Sequence, residues 1–433
     1  MTTQITEQNI SNIRNAGVQW QEPKTSNFTA VAGEGYFVNT SGGAFTMTMP
    51  ASPVIGDTIS VSMITAGNDL TISRNGNNID GAASDATLGS DGDAKTYVFV
   101  NATEGFKTMT STVAATFITA TGGTESTSGN YKIHTFNSSG NFVVTSASNT
   151  AADNEASYLV VGGGGAGGVG CSAGGAGAGG YREGVSSVDC YSGSPTAATS
   201  GITISAQTYP ITVGAGGSGI SPYTSPSHPA PSSGTSGSDS TFSTITSSGG
   251  GKGGGQPGPS GSQVNGAGGG SGGGGSHYNG TGGSGNTPPV SPSQGNSGFQ
   301  SQPGVGPAPS DAGGAGGGAT AAGTPGSTSH AGGAGATSSI TGSAVARAGG
   351  GGGSNRCGGS SSDVAGGAGG GGRGGYGNRP NPCAQGTGQA GSANTGGGGG
   401  GGKANTPASS NRPYGGSGSG GSGVVIVRYK YQN

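Results

Sequence analysis

The side chains able to do chemistry are few and widely spaced. His134, His228, His277 and His330 and the cysteines Cys171, Cys190, Cys357 and Cys383 show no CxxC or HxxxH spacing, so no metal site is expected. Nucleophilic catalysis needs a Ser or Cys oriented by His and an acid, and no local grouping supplies that. Glycan cleavage needs paired carboxylates, whereas residues 162–423 hold only Glu183, Asp189, Asp239, Asp311 and Asp363, all far apart. The chain is therefore read as a non-enzyme without cofactor, and its histidines as surface residues. Four cysteines allow three connectivities. Pairs 171–190 and 357–383 are the easiest to close, and four free thiols are an equal alternative.

One nucleotide signature needs weighing. Residues 159–170, LVVGGGGAGGVG, satisfy GxGxxG after a strand, and Asp189 follows about 20 residues on. That fingerprint requires a helix next, and SAGGAGAGGY (172–181) is too rich in Gly to form a good one. The match is a product of composition, and nucleotide binding is not expected.

Binding is left. Aromatic and Arg residues are the usual anchors of interfaces, and here they fall between glycine runs: Tyr191, Tyr223, His228, His277, Tyr278, Arg356, Tyr376, Arg379, Arg412 and Tyr414. Each could instead cap or brace a neighbouring run. Tyr181 and Tyr209 are assigned to the scaffold. Charge is uneven too, with residues 312–433 carrying eight basic side chains against Asp363 alone. The excess serves solubility or forms a cationic face.

These residues must be held by a chain of unusual composition. Of 433 residues 104 are Gly, only 16 of them before residue 162, so two differently built parts are expected. Leu occurs only at Leu70, Leu88 and Leu159 and charged residues make up 8%, which excludes an α-helical enzyme core. The start, MTTQITEQNI, lacks a basic region followed by an apolar stretch, and the apolar run Val424 to Val427 is far too short to span a bilayer. No signal peptide or membrane span is expected.

From Thr25 on, short words alternate apolar and polar residues, as in Phe45-Thr-Met47-Thr-Met49 and Ile59-Ser-Val61-Ser-Met63, with turn residues between them. A small antiparallel β module over 25–120 is expected, preceded by an attachment arm over 1–24. Residues 121–161 read as a linker and hairpin leading into the strand Tyr158-Leu-Val-Val161. Residues 162–433 form the glycine-rich domain, closed by a strand at 424–429. Collagen is excluded, because Gly is not at every third position and Pro is only 22 in number. Flexible linker is the main competing reading. Against it, the tract is bracketed by two apolar strands able to pair, and its runs of Gly can pack as polyglycine II. That is a left-handed helix of three residues per turn whose backbone groups must all bond to neighbouring helices. The fold class expected is mainly β plus irregular, with almost no α-helix.

Several words carry a resemblance. TAVAGEGYFVNT (29–40), FTMTMPASPVIGD (45–57), LTISRNGNNIDG (70–81) and YVFVNATEGF (97–106) resemble a module of tailed-phage fibre and virion proteins, notably those infecting marine cyanobacteria. YLVVGGGGAGG (158–168), GGYREG (179–184), YPITVGAGG (209–217) and GVVIVRY (423–429) look like the glycine-rich domain of phage tail fibres, similar to the adhesins at the long-fibre tips of T-even-type phages. The resemblance implies a homotrimeric virion tail-fibre protein whose N-terminus joins other tail or baseplate proteins. It also implies loops that bind a host-cell receptor: a glycan, lipopolysaccharide or outer-membrane protein. No nucleic acid and no membrane insertion are implied. A purely structural fibre or decoration protein is the alternative. This chain departs from the tip adhesins in fusing the domain to its own fibre-like module.

Overall fold

The structure, a computed structural model, describes residues 18–109, 115–170, 172–224, 233–255, 264–276, 280–301, 312–324, 330–355, 364–376, 386–403 and 413–432, with backbone alone at 223–224 and 413–414. The chain divides into two compact units, Met1–Ala114 and Ala115–Asn433. It is mainly β. Among the described residues the helical content is one 3-10 turn, Ala151–Asn154.

In the first unit the alternating words form strands β1 (Gln19–Lys24), β2 (Phe28–Thr29), β3 (Glu34–Asn39), β4 (Phe45–Thr48), β5 (Thr58–Thr65), β6 (Leu70–Ser73), β7 (Ala86–Leu88), β8 (Ala94–Asn101) and β9 (Gly105–Met109). They make two sheets, ordered β1-β3-β5-β8-β9 and β2-β4-β6-β7. The expected antiparallel pairing holds for β5/β8, β6/β7 and β8/β9 and is corrected for the rest: β1/β3, β3/β5, β2/β4 and β4/β6 are parallel. The chain winds as a coil, placing β2, β4 and β6 in one sheet and β3 and β5 in the other. Each strand thus serves as the crossover that a parallel pair in the opposite sheet requires. Period two marks which side chains point inward, and Met47, Val61, Met63, Leu70, Ile72 and Tyr97 do so, but it does not name the neighbouring strand. Strand β1 pairs along β3, so residues 19–24, read as part of an arm, belong to this module.

The second unit begins with β10 (Thr119–Thr121), β11 (Thr124–Ser128), β12 (Tyr131–Phe136), β13 (Gly140–Ser146) and β14 (Glu155–Val161). The exit strand Val424–Lys430 lies antiparallel between β12 and β14, with Tyr158 opposite Val427 and Val161 opposite Val424. The two bracketing words therefore clasp each other directly. One face of this sheet packs Tyr158, Val160, Val425, Val427 and Tyr429 against Phe142, Tyr209 and Phe242 of a second sheet. The other face packs Leu159, Val161, Val424 and Ile426 with Tyr181, Ala336, Ile340 and Ala348. Burial on both faces explains why these strands are continuous apolar runs and not alternating ones.

Beyond the clasp the hydrogen bonds take over from side chains. Gly162, Gly163 and Gly164 donate their N–H groups to the carbonyls of Gly180, Ser238 and Gly421; Gly165, Ala166 and Gly167 donate to Gly177, Thr235 and Gly418. Partners recur every third residue, and each three-residue step forward is a three-residue step back along the partner. This is polyglycine II, with these three accepting runs antiparallel to 162–168, whereas runs 248–254 and 396–402, which donate to it, lie parallel: Gly250 and Gly253 bond Gly163 and Ala166, and Gly399 and Gly402 bond Gly165 and Gly168. Carbonyls of the same run accept from Gly250, Gly217 and Gly399, so run 162–168 has six neighbouring runs, three through its donors and three through its acceptors. Run 174–180 is enclosed likewise, donating to 248–254, 314–317 and 396–399 and accepting from 162–168, 271–274 and 351–354. At such spacing only hydrogen fits at many positions: a Cβ on Gly164 would lie 2.1 Å from the Gly397 carbonyl oxygen.

Candidate functional site

The runs alternate in direction, and this sorts the connections between them. Run 162–170 leaves the clasp and run 172–180 returns to it, since Gly168 pairs with Gly174 and Gly162 with Gly180. The same alternation holds throughout, so every run that leaves the clasp ends beside others that are about to return. At that far end Gly402 donates to Gly168, Gly168 bridges Ser233, and Gly255 donates to the Ser233 hydroxyl oxygen. The Ser276 hydroxyl donates to the carbonyls of Gly255 and Val264, and Ser301 donates its N–H to Gly280. Gly353 donates to the His330 carbonyl, Asn355 to Gly375, and Lys403 to Gly386. Tyr223 pairs opposite Tyr414. These residues flank segments 171, 225–232, 256–263, 277–279, 302–311, 325–329, 356–363, 377–385 and 404–412, so the described flanks of these segments all lie at one end of the bundle.

Of the ten anchors named from sequence, His228, His277, Tyr278, Arg356, Arg379 and Arg412 lie outside the described residues, each in one of these far-end segments. Tyr376 sits half-buried at the same end, and Tyr223 and Tyr414 lie there by backbone register. Nine of the ten thus belong to far-end segments or their flanks. Tyr191 is separate. It packs against the core beneath the clasp sheet, with the Arg428 guanidinium 5.3 Å from its ring centre.

Connections at the clasp end are built differently, from side chains that meet in the core. Glu183, 2% exposed, accepts hydrogen bonds from the Tyr181 hydroxyl (2.9 Å), the Ser194 N–H (2.9 Å) and the Ser338 hydroxyl (2.5 Å). Burial, and then the nearby Glu183 carboxylate, push the Tyr181 and Tyr191 hydroxyls far above the usual tyrosine range, so both stay protonated. Asp189, noted above for its place after the GxGxxG match, is a structural partner: its carboxylate meets Arg428 Nε at 2.9 Å and accepts from the Ser157 hydroxyl. Run 172–180 is extended polyglycine II, so the helix that a dinucleotide site needs is absent from that stretch.

Two histidines correct the surface reading. His134 is 0% exposed, with Nδ1 2.6 Å from the Gly122 carbonyl and Nε2 3.0 Å from the Tyr429 hydroxyl. His330 is 1% exposed, with Nδ1 2.9 Å from the Gly313 carbonyl and its ring against Phe299. Burial lowers both pKa values, favouring the neutral ring. Backbone carbonyls and a tyrosine 295 positions away are partners that no local spacing could announce. Basic residues are also less available than their number suggests: Arg347, Lys403 and Arg428 are buried. Cys190 carries a free, exposed thiol, so the 171–190 bridge is not made, while Cys171, Cys357 and Cys383 lie outside the described residues. Among the described residues no cluster of His, Cys, Asp and Glu could hold a metal ion. No described helix is long and apolar enough to cross a membrane.

The hydrogen-bonded runs and their clasp agree with comparison to known families. No curated protein matches the chain. The family described as "Glycine-rich domain" matches residues 137–430, from the β12–β13 turn to the end of the exit strand. That span is more than half of the sequence, and the chain belongs to the glycine-rich domain family.

Proposed function

We propose that this chain is a virion tail-fibre adhesin. The glycine-rich unit presents far-end segments to a host-cell surface receptor, and the N-terminal unit links it to other tail or baseplate proteins in a homotrimer. The observation that carries the reading is the sorting of connections. The clasp end is closed by side chains packed against the apolar sheet, whereas nine of the ten anchors named from sequence group with the segments of the opposite end or their flanks. The scaffold's core is built from backbone, and loops held by a rigid frame commonly carry recognition. The receptor is proposed to be a glycan, lipopolysaccharide or outer-membrane protein, bound without chemistry.

The test is binding of the full chain to candidate host cells, with segments 225–232, 377–385 and 404–412 each replaced by Gly/Ser of equal length. Binding should fall at least tenfold in one or more replacements while the thermal transition of the glycine-rich unit is unchanged. Equal binding by the native chain and all three replacements would favour a structural fibre or decoration role instead.

A further inference from the structure

Away from the far end, beside the clasp, the structure holds a cavity of about 590 Å3 that the proposed adhesin role does not use. It lies where the β11–β12 turn, the segment after Asp189 and the turn at 339–342 converge, and its lining includes Asn130, Tyr131, Cys190, Tyr191, Ser192 and Arg428. Its size falls within the range of about 300–1,000 Å3 usual for small-ligand sites.

The lining chemistry narrows the occupant. Arg428 is 4% exposed and held in place: Nε donates to both Asp189 oxygens (3.1 and 2.9 Å), Nη1 donates to the Ile340 carbonyl (3.3 Å), and the guanidinium lies 4.5 Å from the Tyr131 ring centre and 5.3 Å from that of Tyr191. Asp189 neutralises it within the protein, so an anion entering the cavity meets no net charge and would itself lose hydration. An apolar ligand would cover the Asn130 amide, the serine hydroxyls and the Arg428 edge without bonding them, at about 1–3 kcal/mol for each group stranded. A neutral polyhydroxylated ring meets neither objection. Its hydroxyls both donate and accept, as serine and amide groups require, and its C–H face can lie against tyrosine. We propose that this cavity is a binding site for a neutral saccharide of one or two rings, with Arg428 and the two tyrosines forming a preorganised floor and Asn130 and Ser192 the rim.

Cys190 supplies a direct readout, because its exposed thiol is part of the lining. The full chain is treated with N-ethylmaleimide, and labelling of Cys190 is followed by peptide-resolved mass spectrometry, which separates it from the other three cysteines. The panel contains glucose, galactose, mannose, rhamnose, N-acetylglucosamine, their methyl glycosides and disaccharides, with glucuronic acid and N-acetylneuraminic acid as charged contrasts. At ten times its dissociation constant, a bound neutral sugar should slow Cys190 labelling about tenfold and give saturation-transfer signals from its ring protons. Preference for the methyl glycoside or disaccharide over the free sugar would identify the end of a glycan as the source; the reverse would identify a free sugar. Ser192→Trp, which fills the mouth, should abolish protection, and Asn130→Ala, at an exposed turn, should weaken it at unchanged thermal stability. Protection by none of the neutral sugars at 50 mM, by only the acids, or equally in both variants would overturn the proposal.

Discussion

The most searching test of a core made of backbone is to add one methyl group to it. Gly164 lies in the enclosed run 162–168, and a Cβ there would stand 2.1 Å from the Gly397 carbonyl oxygen, about 1.3 Å short of ordinary contact. Either side could yield, and both are tied down. If Gly397 retreats, it loses the bond that its carbonyl accepts from Gly421 N–H (2.8 Å); if residue 164 retreats, it loses its own bond to the Gly421 carbonyl (2.9 Å) and the one its carbonyl accepts from Gly217 (2.8 Å). One or two buried backbone groups left unpaired cost about 1–3 kcal/mol each, and overpacking adds about 1–3 kcal/mol. Gly164→Ala should therefore destabilise the glycine-rich unit by roughly 3–6 kcal/mol, lowering its calorimetric transition by roughly 6–12 °C at about 2 °C per kcal/mol. The matching control removes a methyl two residues away. Ala166 is 0% exposed, so Ala166→Gly loses one buried methyl and gains unfolded-state entropy, about 1–2 kcal/mol together. In a conventional apolar core the methyl-deleting change would be at least as harmful as the methyl-adding one. The transition of the N-terminal unit should not move in either variant. If Gly164→Ala melts within 2 °C of the native chain, or higher than Ala166→Gly, the close-packed lattice described above is wrong.

Inserting one Gly between Gly164 and Gly165 should be as damaging as Gly164→Ala in the same calorimetric assay, because it turns the donors beyond it by about 120° away from their partners; three residues added to 404–412 should shift the transition by less than 2 °C. The buried ion pair of Asp189 (1% side-chain exposure) and Arg428 (4%) predicts that Asp189→Asn lowers stability by about 3–5 kcal/mol, measured as a shift in urea midpoint, since a buried guanidinium loses its counter-charge. Acid should weaken the same unit. The folded pKa values of His134 and His330 lie below the ordinary histidine value, so stability is complete above about pH 6.5 and falls as pH drops through the folded values, where only the unfolded chain binds protons readily. Glu155 acts in the same sense at lower pH: burial raises its pKa, but hydrogen bonds from Ser187, Gly201 and Ser186 outweigh that and hold it below the ordinary value. Thermal melts from pH 7.5 to 4.5 should show the decline, and His134→Gln should flatten its upper part. In the first unit Met47→Ala, at 0% exposure, should cost about 2–5 kcal/mol and lower only the first transition.

How much was legible follows from what side chains can announce. YLVV and VVIVRY read as a clasp because strands buried on both faces must be apolar throughout, and they do pair, Tyr158 against Val427. The runs read as polyglycine II because repeated Gly has few other ordered uses. Their neighbours were not legible. Side-chain identity is what ordinarily distinguishes one partner from another, and a run of Gly has none, so the sequence of 396–402 does not say that it lies against both 162–168 and 174–180. The parallel winding of the first unit was hidden for a related reason: Phe45, Met47, Leu70 and Ile72 show their inward side but not whether the strand beside them runs the same way. Partnerships across long separations were hidden as well, Asp189 with Arg428 across 239 residues and His134 with Tyr429 across 295. At the candidate site the anchors were legible as residue types between runs, yet Tyr191 shared that signature while packing under the clasp.

The clasp explains why the two ends of the bundle differ. The chain enters at Val161 and leaves at Val424, residues that face each other in one sheet, so every run that goes out must be matched by one that comes back. Outward and return runs are therefore joined at the far end and return and outward runs at the near end, where the apolar sheet already lies. A near-end connection can gain stability by covering that sheet, and those connections contain the residues that do: Tyr181, Ala336, Ile340 and the Glu183 network. At the far end the described flanking residues are joined mainly by backbone hydrogen bonds, with isolated buried side chains such as Val169, Val364 and His330 in place of an apolar sheet. Selection for stability then acts on the near end and on the runs, and leaves the composition of the far-end segments to whatever else the protein must touch.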